Sequence, residues 1–135
     1  MDKKNLMWHG ILSSTLASIA GIIYFEVYQY LMFSSFDSIV NWGSITGAST
    51  LGCFMMMFGY WLLLKFNLVK WIGWMNVLIT ILSFASIFGA INTALPLEID
   101  FPELFPGLVV PMHFFPAISF FGIAPFFMKI KTNSI

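Results

Sequence analysis

Arginine is absent from the 135 residues, and all six cations are lysine. The lysines fall in three pairs rather than one patch, and the net charge is zero. No phosphate-tracking stripe exists, which excludes a nucleic-acid partner. Cysteine occurs once, at Cys53, which leaves no internal disulfide and no Cys-x-x-Cys redox or zinc motif. Charge itself is scarce, at 9% of residues, where soluble domains carry about 25%. Twelve charged side chains cannot cover a water-soluble globule of 15.3 kDa.

What is present is apolar. Hydrophobic residues make up 59% of the chain and mean hydropathy is +0.89, so lipid is the expected solvent for most of the surface. A bilayer core of about 30 Å needs about 20 apolar residues in a helix, and four stretches meet that length. They run from about Leu6 to Phe33, Trp42 to Leu64, Trp71 to Thr93 and Leu108 to Met128. The expected fold is therefore an all-α integral membrane protein, a four-helix transmembrane bundle with antiparallel up-down neighbours. No internal repeat, low-complexity tract or second domain interrupts it.

Lys3 and Lys4 followed by an apolar stretch, with Ser18 and Ala20 spaced like a cleavage site, have the outline of a signal peptide. The apolar run continues past Ala20 through Ile22, Ile23 and Phe25, so the first stretch reads as a retained span. Lys3 and Lys4, Lys65 and Lys70, and Lys129 and Lys131 all fall on one side of the four spans. The positive-inside rule assigns that side, and both termini, to the cytoplasm. Asp37, Glu98, Asp100 and Glu103 fall on the other side. Trp8, Trp61, Trp71 and Trp74 mark the inner interface, and Trp42, Tyr28 and Tyr30 the outer one. Lysine without arginine suggests an AT-rich bacterial genome, hence an inner membrane.

Short connections at 34–41 and 67–70 make neighbouring helices adjacent. In the longer segment 94–107, Asp100-Phe101-Pro102-Glu103 resembles a helix start with a reciprocal cap. It predicts a one-turn helix on the outer surface, ended by Pro106-Gly107. Small residues provide candidate seams for close packing: Ser13, Ala17 and Gly21 in the first helix, Gly43 and Gly47 in the second with Ser44, Ala48 and Gly52 alongside, and Ser86 and Ala90 in the third. Pro111, Pro116 and Pro125 should bend the fourth helix and free the carbonyls four residues back.

Candidate chemistry gathers in the outer half. Glu26 shares a helical stripe with Ser14, Ser18, Ile22 and Gln29. His113 lies about 8 Å inside the outer end of the fourth helix, Asn92 ends the third, and Asn41 opens the second. Glu26, Gln29, Asn41, Asn92 and His113 are the predicted ligand-binding residues of an outward-facing polar vestibule. His9 and His113 differ in depth by roughly 20 Å of the 30 Å core, too far for one haem iron, and a metal centre lacks a third good ligand. No cofactor is expected. In length and topology alone the chain resembles the small multidrug-resistance transporters, whose acid lies near the middle of helix 1 rather than at its outer end as Glu26 does.

Three functions follow in order. The first is a non-enzymatic protein that binds or passes a small molecule, ion or lipid through the vestibule. The second is an accessory subunit of a larger membrane complex, and the third a membrane enzyme on a lipid substrate using Glu26, His113 and Glu103. The expected partners are membrane lipids, with either further copies of the chain or a larger complex.

The topology is checked by single cysteines in a Cys53→Ser background, labelled with an impermeant thiol reagent on intact cells. Lys3→Cys, Asn67→Cys and Lys131→Cys should stay unlabelled, while Asp37→Cys and Asp100→Cys react. External labelling of Asn67→Cys would overturn the orientation.

Overall fold

The computed structural model describes residues 3–127. The expected end of the last span at Met128, with Lys129 and Lys131, lies outside them. Five α-helices are joined by short connections: α1 (Lys3–Met32), α2 (Trp42–Lys65), α3 (Ile72–Ile91), α4 (Phe105–Met112) and α5 (Phe115–Phe127). No strand occurs among the described residues. Four helical stretches are long and apolar enough to cross a membrane: Lys4–Met32, Trp42–Lys65, Val69–Ile91 and Pro102–Phe127.

Local chemistry sets the helix ends. Asn41 and Ser44 form a reciprocal cap at the start of α2: Ser44 N donates to Asn41 Oδ1 at 3.0 Å, and Asn41 N to Ser44 Oγ at 2.9 Å. At the other end Asn67 has φ 57°, and Leu68 N reaches back to the Leu63 carbonyl at 2.7 Å, with Asn67 N meeting Leu64 O at 3.2 Å. That is a Schellman turn with asparagine in the left-handed position. Phe33 at φ 52° ends α1 the same way, with Ser34 N on Gln29 O. The segment after α3 departs from the expectation. Pro102–Leu104 forms a 3₁₀ turn, but no side chain caps it and Phe101 before it has φ 55°. The turn runs directly into α4, because Pro106 falls at the first positions of that helix, where its missing N–H costs nothing. Pro106-Gly107 therefore continues the helix instead of ending it.

The fourth apolar stretch is divided. Between α4 and α5, Pro116 cannot donate to Met112 and its ring crowds the residue before it, so the helix breaks at His113–Phe114.

α1 occupies the centre. Its buried positions, from Leu6 through His9, Ser13, Ala17 and Gly21 to Phe25, recur at helical spacing. At 30 residues and 1.5 Å each it is about 45 Å long. Two buried clusters lie along it. One gathers Leu6, Ala17, Cys53, Met56, Tyr60, Ile79, Ala117 and Phe120. The other gathers Phe25, Phe36, Ile45, Phe105, Leu108 and Val109. Phe36, from the α1–α2 connection, is fully buried against Phe105, its N–H donating to Gln29 Oε1 at 2.5 Å.

The α1 seam is real, and the α2 seam holds only at Gly52, where a Cβ would lie 3.3 Å from Pro116 Cβ. A Cβ on Gly21 would lie 2.7 Å from Ile45 Cγ2, and one on Gly10 would lie 2.6 Å from Met57 Sδ. A Cβ on Gly47 would meet nothing within 4 Å, and Gly43 is exposed. The small-residue pattern of α2 does not mark a helix contact at these positions. α3 is the least covered span, with 6% of it buried against 39% for α1.

Gly21→Leu should destabilise the protein by about 1–3 kcal/mol through overpacking, while Gly47→Leu stays near wild type. Thermal unfolding in detergent checks this, and equal losses from the two would mean that Ile45 does not close on Gly21.

Candidate functional site

The five predicted residues are each engaged locally. Glu26 is exposed and accepts the Trp42 indole N–H at 2.6 Å, tying α1 to the start of α2. Gln29 holds the connection by accepting from Phe36 N and donating to Asp37 at 3.4 Å. Asn41 caps α2. Asn92 donates to its own helix at Phe88 O, 2.8 Å away. His113 places Nδ1 at 2.7 Å from Val109 O. Gln29 and His113 line two different cavities, and Glu26 lines neither. The structure does not bring the five together into one vestibule.

The first cavity is an open groove of about 640 Å³ beside the α1–α2 connection, with Gln29, Ser34, Ser38, Glu98 and Asp100 on its walls. The second, of about 610 Å³, is a cleft between α2 and α3, with α4 and α5 as its floor. Its existence follows from how α3 is held. Beside the α2–α3 connection, Tyr60 O–H donates to Asn76 Oδ1, and a Cβ on Gly59 would lie 2.9 Å from Met75 Cε. Further along, Phe84 packs edge-on to Phe114 at 4.9 Å, and Ala90 packs into the Phe105 cluster. α3 leans on the fourth segment rather than on α2, and the space between the two helices stays open.

The cleft is apolar over most of its walls and polar toward one end. Met55, Met56, Met75 and Ile79 line the part nearer the α2–α3 connection. Methionine there gives a flexible, polarizable wall that adapts to irregular apolar shapes. Ser44, Ser49, Ser83, Ser86 and His113 lie in the remainder, among apolar residues that include Ile39, Val40, Ile45 and Met112. Three of the serines are occupied: Ser44 at the α2 cap, Ser83 on Ile79 O and Ser86 on Ser83 O. Ser49 is 6% exposed, and its hydroxyl has no partner among the described residues. His113 is half in the same position. A carbonyl can only accept, so the neutral ring carries its proton on Nδ1 and leaves Nε2 as a free acceptor. Among the described residues no lysine, aspartate or glutamate lines the cleft.

Ser49 was not singled out by the sequence, where the small residues beside it, Ala48 and Gly52, stood for packing. A hydroxyl in the body of an apolar stretch, with no acidic or amide neighbour, was the available signal. Among the described residues no three metal-ligating side chains converge. His9 stands apart in the other half of the core, with Nε2 at 2.7 Å from Phe120 O and Nδ1 buried without a partner. The sequence matches no family model, and no curated protein or solved structure is similar to it.

Because Glu26 and His113 make separate local bonds, their effects should add. The stability losses of Glu26→Gln and His113→Gln in detergent should sum to that of the double variant within about 0.5 kcal/mol. A larger interaction energy would restore the shared vestibule.

Proposed function

We propose that this chain is a four-span membrane protein that holds a membrane-resident amphiphile in the cleft between α2 and α3. The observation that carries the reading is the cleft itself. Its volume falls within the range of about 300–1,000 Å³ typical of ligand sites, and apolar walls with a few convergent polar groups are the usual lining of such sites.

The four spans insert up and down. Leu6, Tyr60, Trp61, Ile72 and Phe120 gather in one half of the core, and Phe25, Phe36, Ile45, Ala90 and Phe105 in the other, as antiparallel neighbours require. Exposed Leu16, Ile23, Leu51, Phe58, Ile81 and Phe88 are the residues that lipid would cover. Lysines at the α2–α3 connection and acids at the opposite end support cytoplasmic termini, in what we take to be a bacterial inner membrane. In that setting the cleft opens sideways to the acyl chains. The Tyr60–Asn76 bond and the Gly59–Met75 contact stop it short of the cytoplasmic face, which supports binding over passage.

The exposure of α3 favours one second reading, an accessory subunit whose α3 face lies against a larger membrane complex. Mild extraction separates the two, since an accessory subunit migrates with its partners.

Native mass spectrometry of the purified protein tests the cleft. Wild type should retain an amphiphile, and Ala48→Phe, which fills the cleft from an exposed position, should lose it at unchanged thermal stability. Equal retention by both would overturn the site.

A further inference from the structure

The lining of the cleft also specifies the head group of what it holds. We infer that the occupant is a lipid with an uncharged head carrying a free hydroxyl, seated with that hydroxyl on His113 Nε2 and its chain toward Met56 and Met75. This rests on the cleft being a binding site, as proposed above.

Three observations lead there. Among the described residues no lysine, aspartate or glutamate lines the cleft, and an unpaired charge taken from water into such surroundings is costly. A phosphate or ammonium head would have no counter-ion inside, so the head must be neutral. The second observation is the polarity gradient. Ser44 is the third residue of α2, while Met56 lies twelve residues further on, about 18 Å down the helix. The polar groups sit toward the α1–α2 connection, among Ile39, Val40, Ile45 and Met112, and the end at Met56 and Met75 holds no polar side chain, so the occupant is amphiphilic and has one orientation.

The third observation selects the hydroxyl. The Nδ1 proton of His113 is committed to Val109 O at 2.7 Å, which leaves Nε2 able only to accept. A ketone, ester or ether oxygen offers it nothing, whereas an alcohol donates to it. Ser49, nine-tenths buried and without a hydrogen-bond partner among the described residues, supplies an O–H for a second oxygen of the same head group. In apolar surroundings both groups gain by finding a partner, because each is otherwise left unsatisfied. A diacylglycerol has this set of features: one free hydroxyl, neighbouring ester carbonyls and no charge.

The probes are dioctanoylglycerol, its methyl ether and the corresponding phosphatidate, titrated separately into the purified wild-type protein and read by native mass spectrometry. The alcohol should bind tightest. A neutral hydrogen bond contributes about 0.5–1.5 kcal/mol net, so the ether should bind about two- to tenfold more weakly. The phosphatidate should bind weakest. His113→Phe should weaken the alcohol by the same factor and abolish the preference for alcohol over ether. Ser49→Ala should weaken both alcohol and ether. An ether that binds wild type as well as the alcohol does, or a phosphatidate that binds as well, would overturn the inference while leaving the cleft a lipid site. If none of the three binds in a manner that Ala48→Phe abolishes, the cleft reading itself falls.

Discussion

A proline within a helix removes the N–H that would have met the carbonyl four residues back. The fourth segment does this at Pro111 and Pro125 inside its helices, and at Pro116 where the segment breaks. The carbonyl freed by Pro111 takes its donor from α1, which bonds two further carbonyls of the fourth segment as well. Tyr24 O–H donates to Gly107 O at 2.7 Å, the carbonyl that Pro111 leaves free. Tyr28 O–H donates to Leu104 O at 2.7 Å, and His9 Nε2 to Phe120 O at 2.7 Å. These three bonds run along α1 from its first turns to its last. They fix both its rotation and its height against α4 and α5 in a way that non-directional apolar packing alone cannot.

The other helices follow from that register. With its polar donors turned to the fourth segment, α1 presents Gly10 and Gly21 to Met57 and Ile45 of α2, and the two backbones close up. α3 receives no such key. Its hydroxyls at Thr80, Ser83, Ser86 and Thr93 all bond carbonyls of its own helix, so it holds to the bundle through Tyr60–Asn76 at one end and aromatic and apolar contacts at the other. The cleft is the consequence: one helix short of interhelical bonds leaves a gap that the remaining three cannot fill.

How much of this was legible in the sequence varies by level. Four long apolar stretches are visible because bilayer thickness imposes a length. Asn41 with Ser44 is a readable start because the cap is local. Glu26 near the C-terminal end of α1 is readable by counting, but its indole partner Trp42 is not. Small residues are not readable in the same way. Gly21 and Gly47 look alike in sequence, yet one meets Ile45 and the other open space, since the helix's rotation is set by distant bonds. The carbonyl that Pro111 frees could be counted from the sequence, but not that Tyr24 satisfies it. Tyr28 reads as an interfacial aromatic and Tyr24 carries no signal of its own, and their reach to positions some 80 residues away appears only in three dimensions.

His113 shows why the vestibule and the cleft compete for the same residue. A histidine near an acid in an apolar bundle suggests a proton relay, which needs both ring nitrogens and a second titratable group in contact. Here one nitrogen is committed to Val109 O, at the point where Pro116 breaks the segment, and no carboxylate lines the cleft. The break and the committed proton act together. The first turns the ring out of a continuous helix to line the open space. The second fixes which nitrogen the space receives, and a fixed acceptor on an apolar wall is suited to orienting a neutral donor rather than to moving a proton.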